Sequence, residues 1–356
     1  MTETTSTAVP TVRDGWIDQA KGIAIILVVL FHSVMYLDAA GVVGPLVTLN
    51  PLLDTFRMPL FFFMSGILAA KATALGFRAL VRKRMLLLLY LYLLWVTLQT
   101  VLLVLVPPIG SASGNASPLD LVSLFIRPNS NLWFIYALPL FFAIAWLARR
   151  VPAWLQVLVA ASISVLFGTG LLHTGSPWDK MGRYLVFFIV AIWLGPFVRQ
   201  LVPRLRWWHA VLLAALYAGA TILVVKLDLL DVPFVLLATS ALAVSVGIAV
   251  AVQLSKWPPF DWVRYLGTRT LPIYLAHTFP MIILAAVLVP LRPEPGPVLG
   301  TALPLALTVV AIVLALVGYR LLGGVPGLFT LPVAHWADPA APARAERSGP
   351  DVARSR

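Results

Sequence analysis

The stretch "WIDQAKGIAIILVVLFHS", residues 16–33, decides how this chain is read. It is an apolar run fit for a bilayer, yet it carries Lys21 at its start and His32 deep inside. On an α-helix the eleven positions from Lys21 to His32 complete close to three turns and rise about 16 Å. Both side chains therefore share one face, about half a membrane apart. An ionisable group within a span costs about 2.5–3.5 kcal/mol for Arg, Lys or Asp on insertion scales, so it is a functional hypothesis with a partner to be found. Two readings of His32 stay open. A neutral imidazole can take a proton from a hydroxyl and return it later, or it can simply bridge to a neighbouring helix. No carboxylate stands at i+3 or i+4 from His32, so any orienting partner must come from another helix or from a backbone carbonyl.

Outward from this stretch, 60% of the 356 residues are hydrophobic and 11% are charged, against about 25% charged in a typical soluble domain. Apolar runs long enough to cross a hydrocarbon layer of about 30 Å recur near 20–39, 51–71, 85–106, 132–148, 153–172, 184–199, 208–226, 233–254, 271–291 and 299–322. They predict an all-α, polytopic membrane helix bundle with about ten transmembrane helices. Residues 1–15 form a leader, 16–325 the transmembrane domain and 326–356 a tail, which is Ala-, Pro- and Arg-rich from about Pro332 and expected to be disordered. The leader runs into the first span without a small-residue cleavage site, so that helix is expected to stay. The stretch 107–131, rich in Pro, Gly, Ser and Asn, reads as an irregular loop.

The net charge of +12 could suggest nucleic acid, but the placement of the basic residues argues otherwise. With a cytosolic amino terminus, twenty of the 26 Lys and Arg fall on inner segments and six (Arg57, Arg127, Lys180, Arg183, Lys226, Arg292) on outer ones. That bias orients both termini toward the cytosol, in an inner (plasma) membrane, and makes lipid headgroups the partner of the surface charge. The absence of cysteine excludes disulfides, thiolate catalysis and cysteine metal sites; no metal site is expected.

Further polar residues interrupt the spans. "RMPLFFFMSG" (57–66) opens the second with Arg57 and Pro59 and holds Ser65-Gly66, where small residues let helices approach closely. "FRALVRKRM" (77–85) packs Arg78, Arg82, Lys83 and Arg84 at the inner face, as a membrane anchor or as a cradle for the phosphates of a nucleotide-containing donor. Trp133 in "NLWFIYAL" and Arg183 in "KMGRYLVFFIVAIWLG" sit at outer ends, where an aromatic belt and snorkelling are the plain explanations. Tyr274 and His277 in "YLGTRTLPIYLAHT" lie at i, i+3 on one helix face.

Taken in order, "DQAKGIAIILVVLFHS", "RMPLFFFMSG", "LWFIYAL", "RYLVFFIVAIWLG" and "YLGTRTLPIYLAHT" resemble the acyltransferase 3 family of integral-membrane O-acyltransferases, most closely its fucose 4-O-acetylase-like branch. The resemblance implies transfer of an acyl group, acetyl above all, from cytosolic acyl-CoA to a hydroxyl of a carbohydrate or other acceptor. It implies His32 as catalytic base, Lys21 with Arg78, Arg82 and Arg84 on the donor, and no permanently bound cofactor. Arg57, Trp133, Arg183, Tyr274 and His277 are the residues expected on the acceptor side. Two departures stand out: the family's pair of arginines with two residues between them is absent from 78–84, where Arg78 and Arg82 have three between them and Arg82 and Arg84 one, and Arg57 replaces a common histidine. A transporter or flippase of a lipid-linked sugar is the competing reading; against it stands the lack of an internal repeat.

Overall fold

A computed structural model describes residues 14–42, 44–110, 128, 130–175, 177–229, 232–291 and 296–332. Among them the chain is helical, without strands. We number the helices α1 Gly15–Ala39, α2 Asn50–Thr73, α3 Phe77–Leu105, α4 Trp133–Leu147, α5 Ala153–Gly168, α6 Trp178–Leu201, α7 Trp207–Lys226, α8 Val235–Leu254, α9 Asp261–Thr268, α10 Thr270–Leu291 and α11 Pro297–Leu322.

Nine of these are long and apolar enough to cross a membrane. The fifth expected run, 153–172, yields a helix of 16 residues, about 24 Å long and short of the hydrocarbon thickness. It nevertheless runs antiparallel to α6 along its length. Trp193 Nε1 donates to Gln156 Oε1 at 3.3 Å near one end, and Ser164 Oγ donates to the Arg183 carbonyl at 2.7 Å near the other.

Long-range polar contacts sort the helix ends into two groups. At one end Asp14 pairs with Arg199 at 2.7 Å, Trp146 Nε1 donates to the Leu75 carbonyl at 2.9 Å, and Gln253 Nε2 donates to that of Leu205 at 3.0 Å. At the other, the Tyr184 hydroxyl donates to the Asp54 carbonyl at 3.4 Å. The up-and-down order begins at the Asp14 end and returns to it after α11. The lipid-facing helices look as water-free surroundings require: α7 exposes Val211, Leu212, Leu216, Ile222 and Leu223.

The helices that carry the polar residues meet at small side chains. Gly66 of α2 lies against the Phe188 carbonyl of α6, so any Cβ there would collide with backbone. Gly22 of α1 and Gly267 of α9 make the tightest crossing, Gly267 against the carbonyl of Asp18 and Gly22 against that of Val263. In lipid such contact substitutes for the hydrophobic effect as the cause of helix association.

Two expectations need correction. The basic cluster does not precede its span: Arg82, Lys83 and Arg84 lie inside α3, in a π-helical turn at Val81–Met85. The tail does not begin at 326 as disordered chain either. Residues 326–332 fold back because two groups find partners: the Leu328 carbonyl accepts from Trp95 Nε1 at 2.9 Å, and the Phe329 ring packs on Trp95 and Tyr319. Residues 1–13, 333–356 and most of the expected 107–131 loop lie outside the described residues.

A Gly267→Val chain should be destabilised by about 1–3 kcal/mol or more, since the added methyls meet backbone that cannot yield. Thermal unfolding in detergent measures this, and an unchanged midpoint would contradict the crossing.

Candidate active site

His32 lies on the fifth turn of α1, nearer the Asp54 end than the Asp14 end. Its side chain is buried in protein, 6% exposed, and does not face lipid. Besides the Val28 carbonyl of its own helix, it meets a side-chain partner from α10. His32 Nδ1 and His277 Nε2 are 3.0 Å apart, and His277 is wholly buried.

The sequence of α10 explains how His277 reaches that place. Pro272 has no N–H for the carbonyl of Thr268, where α9 stops, and Pro280 has none for that of Ala276. The helix accordingly runs Thr270–Ala276, turns at His277 and resumes at Thr278. At that turn His277 Nδ1 stands 2.8 Å from the Tyr274 carbonyl and 3.1 Å from the Ile273 carbonyl.

These contacts fix the protons. A carbonyl only accepts, so Nδ1 of His277 carries the hydrogen and, in the neutral ring, its Nε2 is a lone pair. His32 Nδ1 faces that lone pair and also the Val28 carbonyl at 3.0 Å, two acceptors, so it too is the donor nitrogen. The remaining nitrogen of His32, Nε2, keeps an unshared lone pair, and no described residue hydrogen-bonds to it. The Tyr274 carbonyl, His277 and His32 thus form a relay that ends in a basic nitrogen.

A second network holds the two helices at that spacing. Asn131 donates through Nδ2 to the Tyr36 hydroxyl of α1 at 2.8 Å, and its carbonyl accepts from the Tyr274 hydroxyl of α10 at 2.7 Å. Tyr274 is thereby occupied on both sides, by its hydroxyl in this clasp and by its carbonyl on His277.

The other expected residues fall into separate groups. Arg57 is 5% exposed, donates to Asp54 at 2.9 Å and lies over the Phe31 ring at 3.7 Å. Phe31 in turn meets His32 edge-on, with centroids 5.0 Å apart. Arg183 approaches the second Asp54 oxygen at 3.9 Å. Trp133 is buried in an aromatic cluster with Phe62 and Tyr184 rather than exposed as a belt residue. Lys21, at the Asp14 end, pairs with Asp18 at 3.3 Å. Beside it opens a cavity of about 620 Å³ lined by Asp18, Asp261, Trp262, Arg264 and Tyr265 among others. Arg78, Arg82 and Arg84 are exposed on α3.

Sequence reasoning placed His277 on the acceptor side and overlooked Asp54. The i, i+3 pairing of Tyr274 with His277 was the available signal for the first. Asp54, one turn before Arg57 on the same helix face, was the signal for the second.

Comparison with known proteins agrees with the residue blocks. The chain is 26% identical over 289 residues to the inner membrane protein YcfT of Escherichia coli (strain K12), covering 74% of this chain and 79% of the relative. No solved structure gives a significant match. The acyltransferase domain model of the acyltransferase 3 family matches residues 14–320, which include every helix carrying the relay, and the chain belongs to that family of membrane acyltransferases.

Proposed function

We propose that this protein moves an acyl group, most simply acetyl, from cytosolic acyl-CoA to a hydroxyl of a carbohydrate or similar acceptor, as in the fucose 4-O-acetylase-like branch of the family. The observation that carries this reading is the free lone pair on His32 Nε2, left over once His277 has taken the other end of the ring. As the acceptor oxygen attacks the thioester carbonyl, Nε2 takes the hydroxyl proton. The new C–O bond forms, the C–S bond breaks, and the proton passes from His32 to the departing thiolate, which leaves as free CoA.

His277 acts through His32. Its Nε2 accepts the Nδ1 hydrogen, holds the ring orientation and takes up part of the positive charge when His32 is protonated, the service a carboxylate performs in a Ser-His-Asp triad. The asymmetry of basic residues puts the Asp14 end in the cytosol, and with it Lys21 and the exposed Arg78, Arg82 and Arg84 as ligands for the donor phosphates. On that orientation the membrane is the inner (plasma) membrane. The transport alternative draws no support from the family match.

Three outcomes follow for purified protein assayed with acetyl-CoA. His32→Ala should lower turnover about 10²–10⁴-fold, the usual contribution of a general base; turnover unchanged in a folded variant would refute the assignment. His277→Ala should lower kcat with little change in donor KM, and His277→Gln, whose amide oxygen can still accept from Nδ1, should recover part of the loss. Replacing Arg78, Arg82 and Arg84 together by Ala should weaken acetyl-CoA binding while a wild-type Kd would remove these residues from the donor site.

A further inference from the structure

Around Asp54 the bundle holds more positive charge than it neutralises. Arg57, Lys180 and Arg183 all act electrostatically on this one carboxylate. Asp179, adjacent to Lys180 in sequence, is engaged elsewhere, by the Thr174 backbone N–H at 2.8 Å, the Thr174 hydroxyl at 2.9 Å and His173 at 2.7 Å. Asp54 gives one oxygen to Arg57 and turns the other toward Arg183, which leaves donors over. Arg57 Nη1 and Arg183 Nε are buried and have no hydrogen-bond partner among the described residues.

A buried guanidinium N–H without an acceptor is costly, and more so than a neutral donor because the group is charged. Arg57 is 95% withdrawn from solvent and still keeps an open donor. The cluster is also graded: Lys180 is exposed at the end of the bundle, Arg183 is 29% exposed, and Arg57 is innermost. From Arg57 the path continues through the Phe31 ring to His32, whose electrostatic surroundings include both Arg57 and Lys180. A planar fork with a free donor, one aromatic ring away from the proposed base, suits an oxyanion with two or three acceptor oxygens.

We propose that Arg57, Lys180 and Arg183 form an anion subsite and that the acceptor carries a carboxylate or phosphate close to the hydroxyl that is acylated. The inference rests on the proposed transferase reading for the word acceptor, while the anion site itself does not need it. In the transfer, the acceptor hydroxyl gives its proton to His32 and gains the acyl carbon; the anionic group keeps its charge and serves to hold and aim the sugar. A neutral sugar would leave the same donors unpaired and so be disfavoured.

The test compares three probes on the purified full chain: methyl glucoside, methyl glucuronide and glucose 6-phosphate, with binding read by calorimetry and acetyl-CoA turnover read separately. At least one anionic probe should bind ten-fold or more tighter than the neutral glycoside, with a preference that shrinks as salt is raised. Whichever anion is preferred tells carboxylate from phosphate. Arg183→Gln, at a partly exposed position, should bring the preference down to about two-fold, as should Arg57→Met where it folds. Equal affinity for all three probes, or no measurable binding of either anion, would overturn the subsite. Because His32→Ala should keep the preference, the two proposals fail separately. Anion preference without acetyl-CoA turnover sinks the transferase reading, and turnover without preference sinks the subsite.

Discussion

The hydrogen bond between His32 and His277 is the contact on which the proposed chemistry depends. Within a bilayer no water settles which nitrogen of an imidazole bears its hydrogen, so protein acceptors must do so. His277 Nε2 and the Val28 carbonyl, each 3.0 Å from Nδ1 of His32, make the same choice for it. His277 is itself fixed by carbonyls that cannot donate, so the decision is anchored in the backbone of α10. An acidic partner would do the same work at the cost of burying a full charge; a second imidazole avoids that cost and still polarises the first.

Position follows from the same economy. α10 can offer a histidine at a turn because prolines at 272 and 280 interrupt its ladder, and a broken helix is tolerated in lipid only where protein surrounds it. The Asn131 clasp and the glycine crossing of α1 with α9 supply that enclosure at the two ends of the site. On the far side of His32 the charge pattern changes sign of purpose. Arg78, Arg82 and Arg84 lie exposed on α3, whereas Arg57 and Arg183 are gathered around Asp54, with the Phe31 ring between Arg57 and His32.

Much of the architecture was legible in the residues alone. Apolar run lengths gave the spans, Lys21 and His32 were correctly put on one helix, and Gly66 was read as a close helix approach, which the Phe188 carbonyl confirms. The short fifth helix was not legible, because apolar character continues through Leu171 and Leu172 after the helical bonds stop at Gly168. The pairing of His32 with His277 was out of reach for a different reason. The two are 245 positions apart, and a period along one helix carries no information about which other helix faces it. Trp133 and Tyr274 were expected on the acceptor side from the family resemblance; the Trp133 ring stacks with Tyr184, and the Tyr274 hydroxyl donates to the Asn131 carbonyl.

The return of the chain to Trp95 bears on how the protein can be handled. The indole N–H of Trp95 has the Leu328 carbonyl as its acceptor, and the ring leans on Phe329. Cutting the polypeptide where α11 ends would leave that indole without a partner in surroundings that offer no water. A reporter or purification handle therefore belongs beyond Pro332, where its attachment leaves the latch closed.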